Sequence, residues 1–176
     1  MDTLKSLCAD LNSFTDKDTV HCYLDVYDHL FLPYKDKEIN FLEIGTDRGG
    51  SLMLWDKYFP NANIYGLDIK HPDLEIPSRV KFYQSDATDS NCLNLFPENI
   101  KFDIVIEDAS HLLEHQILTY SFMKNRMNNG GLFIIEDIQE YGIAKMRMQQ
   151  YFGDFDVYDL RYIKNRYDDI LFVFKH

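Results

Sequence analysis

The sequence predicts an α/β fold: a doubly wound, mostly parallel seven-stranded sheet with helices on both faces. Three observations carry that prediction. Short apolar, β-branched runs alternate with helical patterns along most of the 176 residues. The stretch from Phe41 to Asp68 reads as strand, glycine turn, helix, strand and acid, the first half of a nucleotide-binding unit. The last two apolar runs have no full helix between them, so the closing strand should be antiparallel, which the strand order 3-2-1-4-5-7-6 accommodates. Together these describe a Rossmann-like architecture.

Taken in order, Leu4, Leu7 and Leu11 suggest a short helix, and Thr15 to Thr19 reads as a loop feeding an N-cap. From Val20 to Leu32, Val20, Leu24, Tyr27, Leu30 and Phe31 recur near helical spacing, and Pro33 ends the pattern. Ile39 to Ile44 is the first strand, Thr46 to Gly50 its turn, and Ser51 to Phe59 a helix. Ile64 to Leu67 is the second strand, stopping at Asp68, and Val80 to Gln84 is a short third. Asp89 to Phe96 looks helical and is closed by Pro97. Phe102 to Ile106 reads as a buried central strand ending in Glu107-Asp108. A longer helix from about Leu112 to Met127 is predicted to stop at a C-cap signal, Asn128-Asn129-Gly130-Gly131. Leu132 to Ile135 is the fifth strand, followed by Glu136-Asp137 and a helix near Ile143 to Tyr151. Phe155 to Leu160 and Ile170 to Phe174 close the sheet around a polar connection, Lys164 to Asp169. The expectation is one domain, 1–176, in which residues 1–38 form a helical segment over the ligand side.

A hydrophobic fraction of 45% supports a packed core. The excess of 29 acidic over 18 basic residues, a net charge of −11, argues against nucleic acid as a partner, because phosphate contacts need clustered Lys and Arg. Cys8, Cys22 and Cys92 are odd in number and lack C-x-x-C spacing, which argues for a reducing, cytoplasmic setting and against zinc. The first residues have no signal-peptide pattern, and no apolar run reaches the roughly 18 residues of a membrane span.

The glycine turn departs from the dinucleotide fingerprint. In Gly45-Thr46-Asp47-Arg48-Gly49-Gly50, Asp47 stands where the second glycine would let a pyrophosphate approach. Asp47 and the preceding Glu43 would repel a phosphate. They suit a ligand with a ribose and a positive charge, and S-adenosylmethionine fits. Asp68, roughly 20 residues on, is placed to accept from a ribose diol.

A second constellation lies at the later strand ends. Asp108 follows the fourth strand and Glu136 and Asp137 the fifth, so neighbouring parallel strands would bring three carboxylates together. Three oxygen ligands suit Mg²⁺, Mn²⁺ or Ca²⁺. His111, three residues after Asp108, falls at the same mouth and is placed to act as general base.

With these residues in view, the chain resembles class I S-adenosylmethionine-dependent methyltransferases, and more narrowly the metal-dependent macrolide and sugar O-methyltransferases with their cephalosporin-hydroxylase-like relatives. The motifs are TDKDTVHCYL (Thr15 to Leu24), NFLEIGTDRGGSLMLW (Asn40 to Trp55), FPNANIYGLDI (Phe59 to Ile69), EDASH (Glu107 to His111) and GGLFIIEDI (Gly130 to Ile138). The resemblance implies that Glu43 and Gly45 line the methionine part of the cofactor. It places the ribose on Asp68 beside Ile69, and the adenine against Asp86 and Ala87. It makes Asp108, Glu136 and Asp137 metal ligands and His111 the base. Thr15, His21 and Tyr23 would belong to a segment covering the cofactor. Ala109 stands where a glycine is common. Family members often carry a longer N-terminal region, so the acceptor site is expected to be open or completed by a second subunit in a homo-oligomer. The implied activity is methylation of a hydroxyl on a sugar or glycosylated small molecule, with Trp55, Arg48, Gln139 and Tyr141 placed to reach the acceptor. A catechol-like phenol acceptor, an NAD(P)-binding oxidoreductase and a non-catalytic S-adenosylmethionine-binding module are the alternatives.

Overall fold

The computed structural model describes residues 3–10 and 15–176. The seven strands are β1 (Asn40–Ile44), β2 (Asn63–Asp68), β3 (Lys81–Gln84), β4 (Phe102–Glu107), β5 (Met127–Ile135), β6 (Asp156–Asp159) and β7 (Ile170–Lys175). They form one sheet in the order β3-β2-β1-β4-β5-β7-β6, as predicted. β1 to β5 pair in parallel, and β7 lies antiparallel between β5 and β6.

Strand alternation divides the core into two layers. Along β4, Ile104 and Ile106 face α1 (Leu4–Asp10), α3 (Leu24–Phe31) and α4 (Gly50–Tyr58). Phe102 and Val105 face α5 (Leu113–Met123) and α6 (Tyr141–Phe152). The first layer is rich in aromatics. Trp55 is fully buried, its ring 5.3 Å from that of Phe41 and 5.8 Å from those of Tyr27 and Phe31. Each such side chain stabilises the fold by about 1.5–3 kcal/mol through removal of apolar surface from water. Trp55 therefore belongs to the core and does not reach an acceptor.

Four local expectations change. Thr15 to Thr19 is not a loop: Asp16–Thr19 forms a helical turn, α2, with Thr15 as its N-cap, and the next helix begins only at Leu24. Ser90–Leu95 is a 3-10 turn, too short between Asp89 and Pro97 to settle into an α-helix. A further short helix, α7 (Arg161–Lys164), stands between the expected strand end at Leu160 and the polar connection that begins at Lys164. Asn128 to Gly131 does not cap a helix. The helix stops at Met123, and these residues form a bulge inside β5. Phe102 pairs with Met127 but Ile104 with Leu132, so the extra residues must loop out. Asn128 Nδ2 donates to Asp103 Oδ1 at 2.8 Å and fixes the bulge. Leu11 of the predicted first helix lies outside the described residues.

β1, β2, β4 and β5 end along one edge, and a glycine sets their spacing there. Gly45 has φ +84°, and a Cβ on it would sit 2.1 Å from the Asp108 carbonyl oxygen. The turn after β1 thus lies directly against the loop after β4. Gly45→Ala should destabilise the protein by about 2 kcal/mol or more, because both obstacles are backbone. Denaturant unfolding checks this, and a loss below about 0.5 kcal/mol would show that the loop yields freely.

Candidate active site

Seven carboxylates, Glu43, Asp68, Asp86, Glu107, Asp108, Glu136 and Asp137, fall at the strand ends, and a buried lysine joins three of them. α2 lies across the edge, and Lys17 points from it into the interior with 1% of its surface exposed. Its Nζ is 2.6 Å from Asp108 Oδ2, 2.8 Å from Glu136 Oε1 and 3.4 Å from Glu43 Oε1. Burial alone would lower the Lys17 pKa, but the three carboxylates outweigh it and hold the ammonium charged. Burial also opposes ionisation of Asp108, yet Lys17 and His111 keep it below the usual carboxylate range. Glu136 is pushed well up, first by burial and then by Asp108. Both Glu136 oxygens accept from Lys17, and Tyr27 donates its hydroxyl to one of them.

On the other side of Asp108 is a second group. His111 Nε2 lies 3.1 Å from Asp108 Oδ1 and 3.6 Å from Asp137 Oδ2. The hydrogen bond that His111 donates to Asp108, opposed by burial, raises His111 to about 9. Asp137 also accepts from the Tyr23 hydroxyl and is 3.3 Å from His21 Nδ1, which is held in turn by Asp169 at 2.6 Å. Burial raises the Asp137 pKa. His111 and Asp137 both sit in left-handed backbone, φ 58° and 54°, a strain that concentrates at functional sites. Asp108, His111 and Asp137 present polar atoms within 4.8 Å of one another, and the two carboxylates of this group offer the oxygen ligands that a hard divalent cation takes. Of the three predicted metal ligands, Asp108 and Asp137 are thus brought together, while Glu136 faces Lys17 and Tyr27. His21, Asp168 and Asp169 cluster as tightly, but Arg166 is already ion-paired with both acids.

Two cavities meet at Asp108. The larger, about 460 Å³, is lined by Gly45, Asp68, Ile69, Asp86, Ala87 and Glu107 among others. The smaller, about 330 Å³, is lined by Thr15, Lys17, Arg48 and His111. Gly45, Asp47, Asp108 and Ala109 border both. Asp68 spends its carboxylate on the chain itself: Oδ2 accepts from the Thr46 and Asp47 amides at 2.7 and 3.0 Å, and Oδ1 from the Lys70 amide. Asp47 sits at φ 43°, a conformation that Asp tolerates better than most residues and that a glycine would ordinarily supply. Asp86 Oδ1 accepts from the Thr88 amide and hydroxyl. Glu43 is fully buried beneath the turn, accepting from Ser51 Oγ at 2.6 Å. Glu43, Tyr23, Glu136 and Asp137 line neither cavity.

Sequence reasoning missed Lys17, Tyr27 and Glu107. Lys17 stands inside the quoted TDK motif, and so many converging acids called for an internal cation. No family model matches the chain. A rhamnosyl-tetracenomycin 2'-O-methyltransferase from Streptomyces olivaceus is 34% identical over 71% of this chain and 35% of its own length. Demethylmacrocin O-methyltransferase from Streptomyces fradiae is 34% identical over 73% of this chain and 36% of its own. Among solved structures, the methyltransferase MycE of mycinamycin biosynthesis, in complex with Mg and SAH, aligns over 99% of this chain with a TM-score of 0.77 and 26% identity. The fold is that of the class I S-adenosylmethionine-dependent methyltransferases. The chain spans about a third of the length of the curated relatives it matches, and 54% of MycE.

Lys17→Met should remove the cation that, among the described residues, touches all three of Asp108, Glu136 and Glu43, and cost about 3–5 kcal/mol in denaturant unfolding. Lys17→Met at wild-type stability would show that the carboxylates relax apart. The metal-free protein should also lose stability as pH rises. The native state holds protons on His111, raised from 6.5 to about 9, and on Glu107, raised from 4.5 to about 8 chiefly by burial. The Glu107 contribution is lost between pH 4.5 and about 8, and that of His111 between 6.5 and about 9. Around His111 the facing charges are Asp108, Asp137 and Glu107. His111→Gln should therefore flatten the decline above about pH 8, read as the denaturation midpoint against pH.

Proposed function

We propose that this chain is the catalytic part of a divalent-metal-assisted, S-adenosylmethionine-dependent O-methyltransferase acting on a sugar hydroxyl of a glycosylated small molecule. The observation that carries the proposal is the Asp108–His111–Asp137 group, in which Asp108 borders both cavities, His111 borders the smaller and Asp137 lies behind them. The similarity to sugar O-methyltransferases supports it, and so do the Mg and SAH in MycE.

The larger cavity is the place for the adenosine. Asp68, Ile69, Asp86 and Ala87 line it, which supports assigning the ribose to Asp68 beside Ile69 and the base to Asp86 and Ala87. Gly45 and Asp47 lead from it toward Asp108 and the smaller cavity, which would admit the acceptor. S-adenosylmethionine supplies an electrophilic methyl group on a sulfonium. A divalent cation, Mg²⁺ in the first instance or Mn²⁺ or Ca²⁺, would be held by Asp108 and Asp137, with Glu136 joining as a third ligand only by giving up Lys17, and would supply a Lewis acid that lowers the acceptor hydroxyl's pKa. Compensating the charge of Asp108 and Asp137 brings His111 back toward its ordinary range, so Nε2 can take the hydroxyl proton. Lys17 keeps Asp108 ionised from the opposite side. Asp47 borders both cavities and would repel a pyrophosphate, which speaks against the dinucleotide alternative. Cys8, Cys22 and Cys92 are buried and form no disulfide, which supports a reducing, cytoplasmic setting.

Transfer of a labelled methyl group to glycosylated macrolides, compared with catechols, tests the reading. His111→Ala should lower kcat by about 10²-fold or more, and EDTA or Asp108→Ala should remove most of the activity. Activity untouched by both EDTA and Asp108→Ala would eliminate the metal role. Transfer to catechols alone would reassign the acceptor.

A further inference from the structure

Glu107 ends β4 and is fully buried, yet no side chain donates to either of its carboxylate oxygens, and the Ala109 amide is the one backbone donor beside it. Its neighbours differ. Glu43 accepts from Ser51, while Asp108 and Glu136 share Lys17. Glu107 follows Val105 by two residues, which places it on the α5 side of the sheet, away from Lys17. There it borders the larger cavity with Ser85, Ala87 and Thr88 from the loop after β3, and with His115 and Thr119 from α5.

The other acids of this cavity are committed or open to water. Asp68 holds three backbone amides, and Asp86 Oδ1 holds both donors of Thr88. Asp108 carries Lys17 and His111. Asp47 and Asp73 are exposed. Among the cavity-lining carboxylates, Glu107 is therefore the buried acceptor without a side-chain donor, with acceptor capacity left beyond the Ala109 amide. A buried polar group left this way is costly, and a ligand that brings a donor to it gains selectively over one that does not. A neutral amine such as that on the edge of a purine base has the chemistry of that donor.

We propose that Glu107 accepts from the exocyclic amine of the adenine and makes this cavity selective for 6-aminopurine nucleosides. The inference rests on reading the larger cavity as the S-adenosyl site. Glutamine keeps an acceptor oxygen at this position, whereas leucine removes it and fills the same space. Calorimetry with adenosine and purine riboside, the same nucleoside without the amine, separates the cases. The wild type should bind adenosine about tenfold or more tightly than purine riboside. Glu107→Gln should keep that preference. Glu107→Leu should abolish it while melting no lower than the wild type, because an unpaired buried carboxylate has been removed. A wild type without the preference, or a Glu107→Leu variant that keeps it, would overturn the proposal. Failure of the wild type to bind S-adenosylhomocysteine or adenosine at all would instead sink the reading of the cavity.

Discussion

A single ammonium group sets the conditions for everything at the strand ends. Two like charges 4 Å apart repel by about 4 kcal/mol at an effective dielectric of 20, so Glu43, Asp108 and Glu136 could not share a dry edge alone. Lys17 Nζ reaches all three. It arrives on a four-residue helix that has little stability of its own, so the ion pairs also hold that segment in place. The carboxylates are assembled by the covering segment, and the covering segment is anchored by the carboxylates. An isolated strand edge with the same acids would carry neither arrangement.

The glycine turn follows a similar logic at a smaller scale. Asp68 was read as a ribose acceptor, and its carboxylate faces the cavity, but it also accepts from the amides of Thr46 and Asp47. One side chain therefore fixes the turn that the ligand must approach. The left-handed Asp47 does what the missing glycine would do for the backbone, and adds a negative charge at the junction of the cavities. The departure from the phosphate-binding pattern is thus structural and electrostatic at once.

The order of the sheet was legible because it depends on periodicity and on the connection lengths between apolar runs. The short elements were not. Asp16–Thr19 is polar and is held by tertiary ion pairs, so no local pattern announces it. The Asn128–Gly131 bulge carries the residues of a helix stop, and only its pairing against Asp103 decides otherwise. In the site, residues that end strands were found by position: Asp68, Asp108 and Asp137 each follow an apolar run. Lys17 and Tyr27 act across more than 90 residues of sequence, and no local signal carries such a contact. Glu107 was visible beside Asp108, but its burial depends on which face of β4 it takes.

The two oxygens of Asp108 show how the halves of the site are joined. Oδ2 belongs to Lys17 and the covering segment, while Oδ1 belongs to His111 and, through it, to Asp137. Its backbone carbonyl lies where a side chain on Gly45 would have to go. Any movement of the β4 loop is felt at once by the glycine turn, the covering segment and the histidine. His111 and Asp137 are held in left-handed backbone on either side of this residue, so the loop has little slack with which to absorb such a shift. A site wired in this way favours the assembled state as a unit: loss of one contact around Asp108 weakens the others, and the geometry for ligand binding and proton removal is kept or lost together.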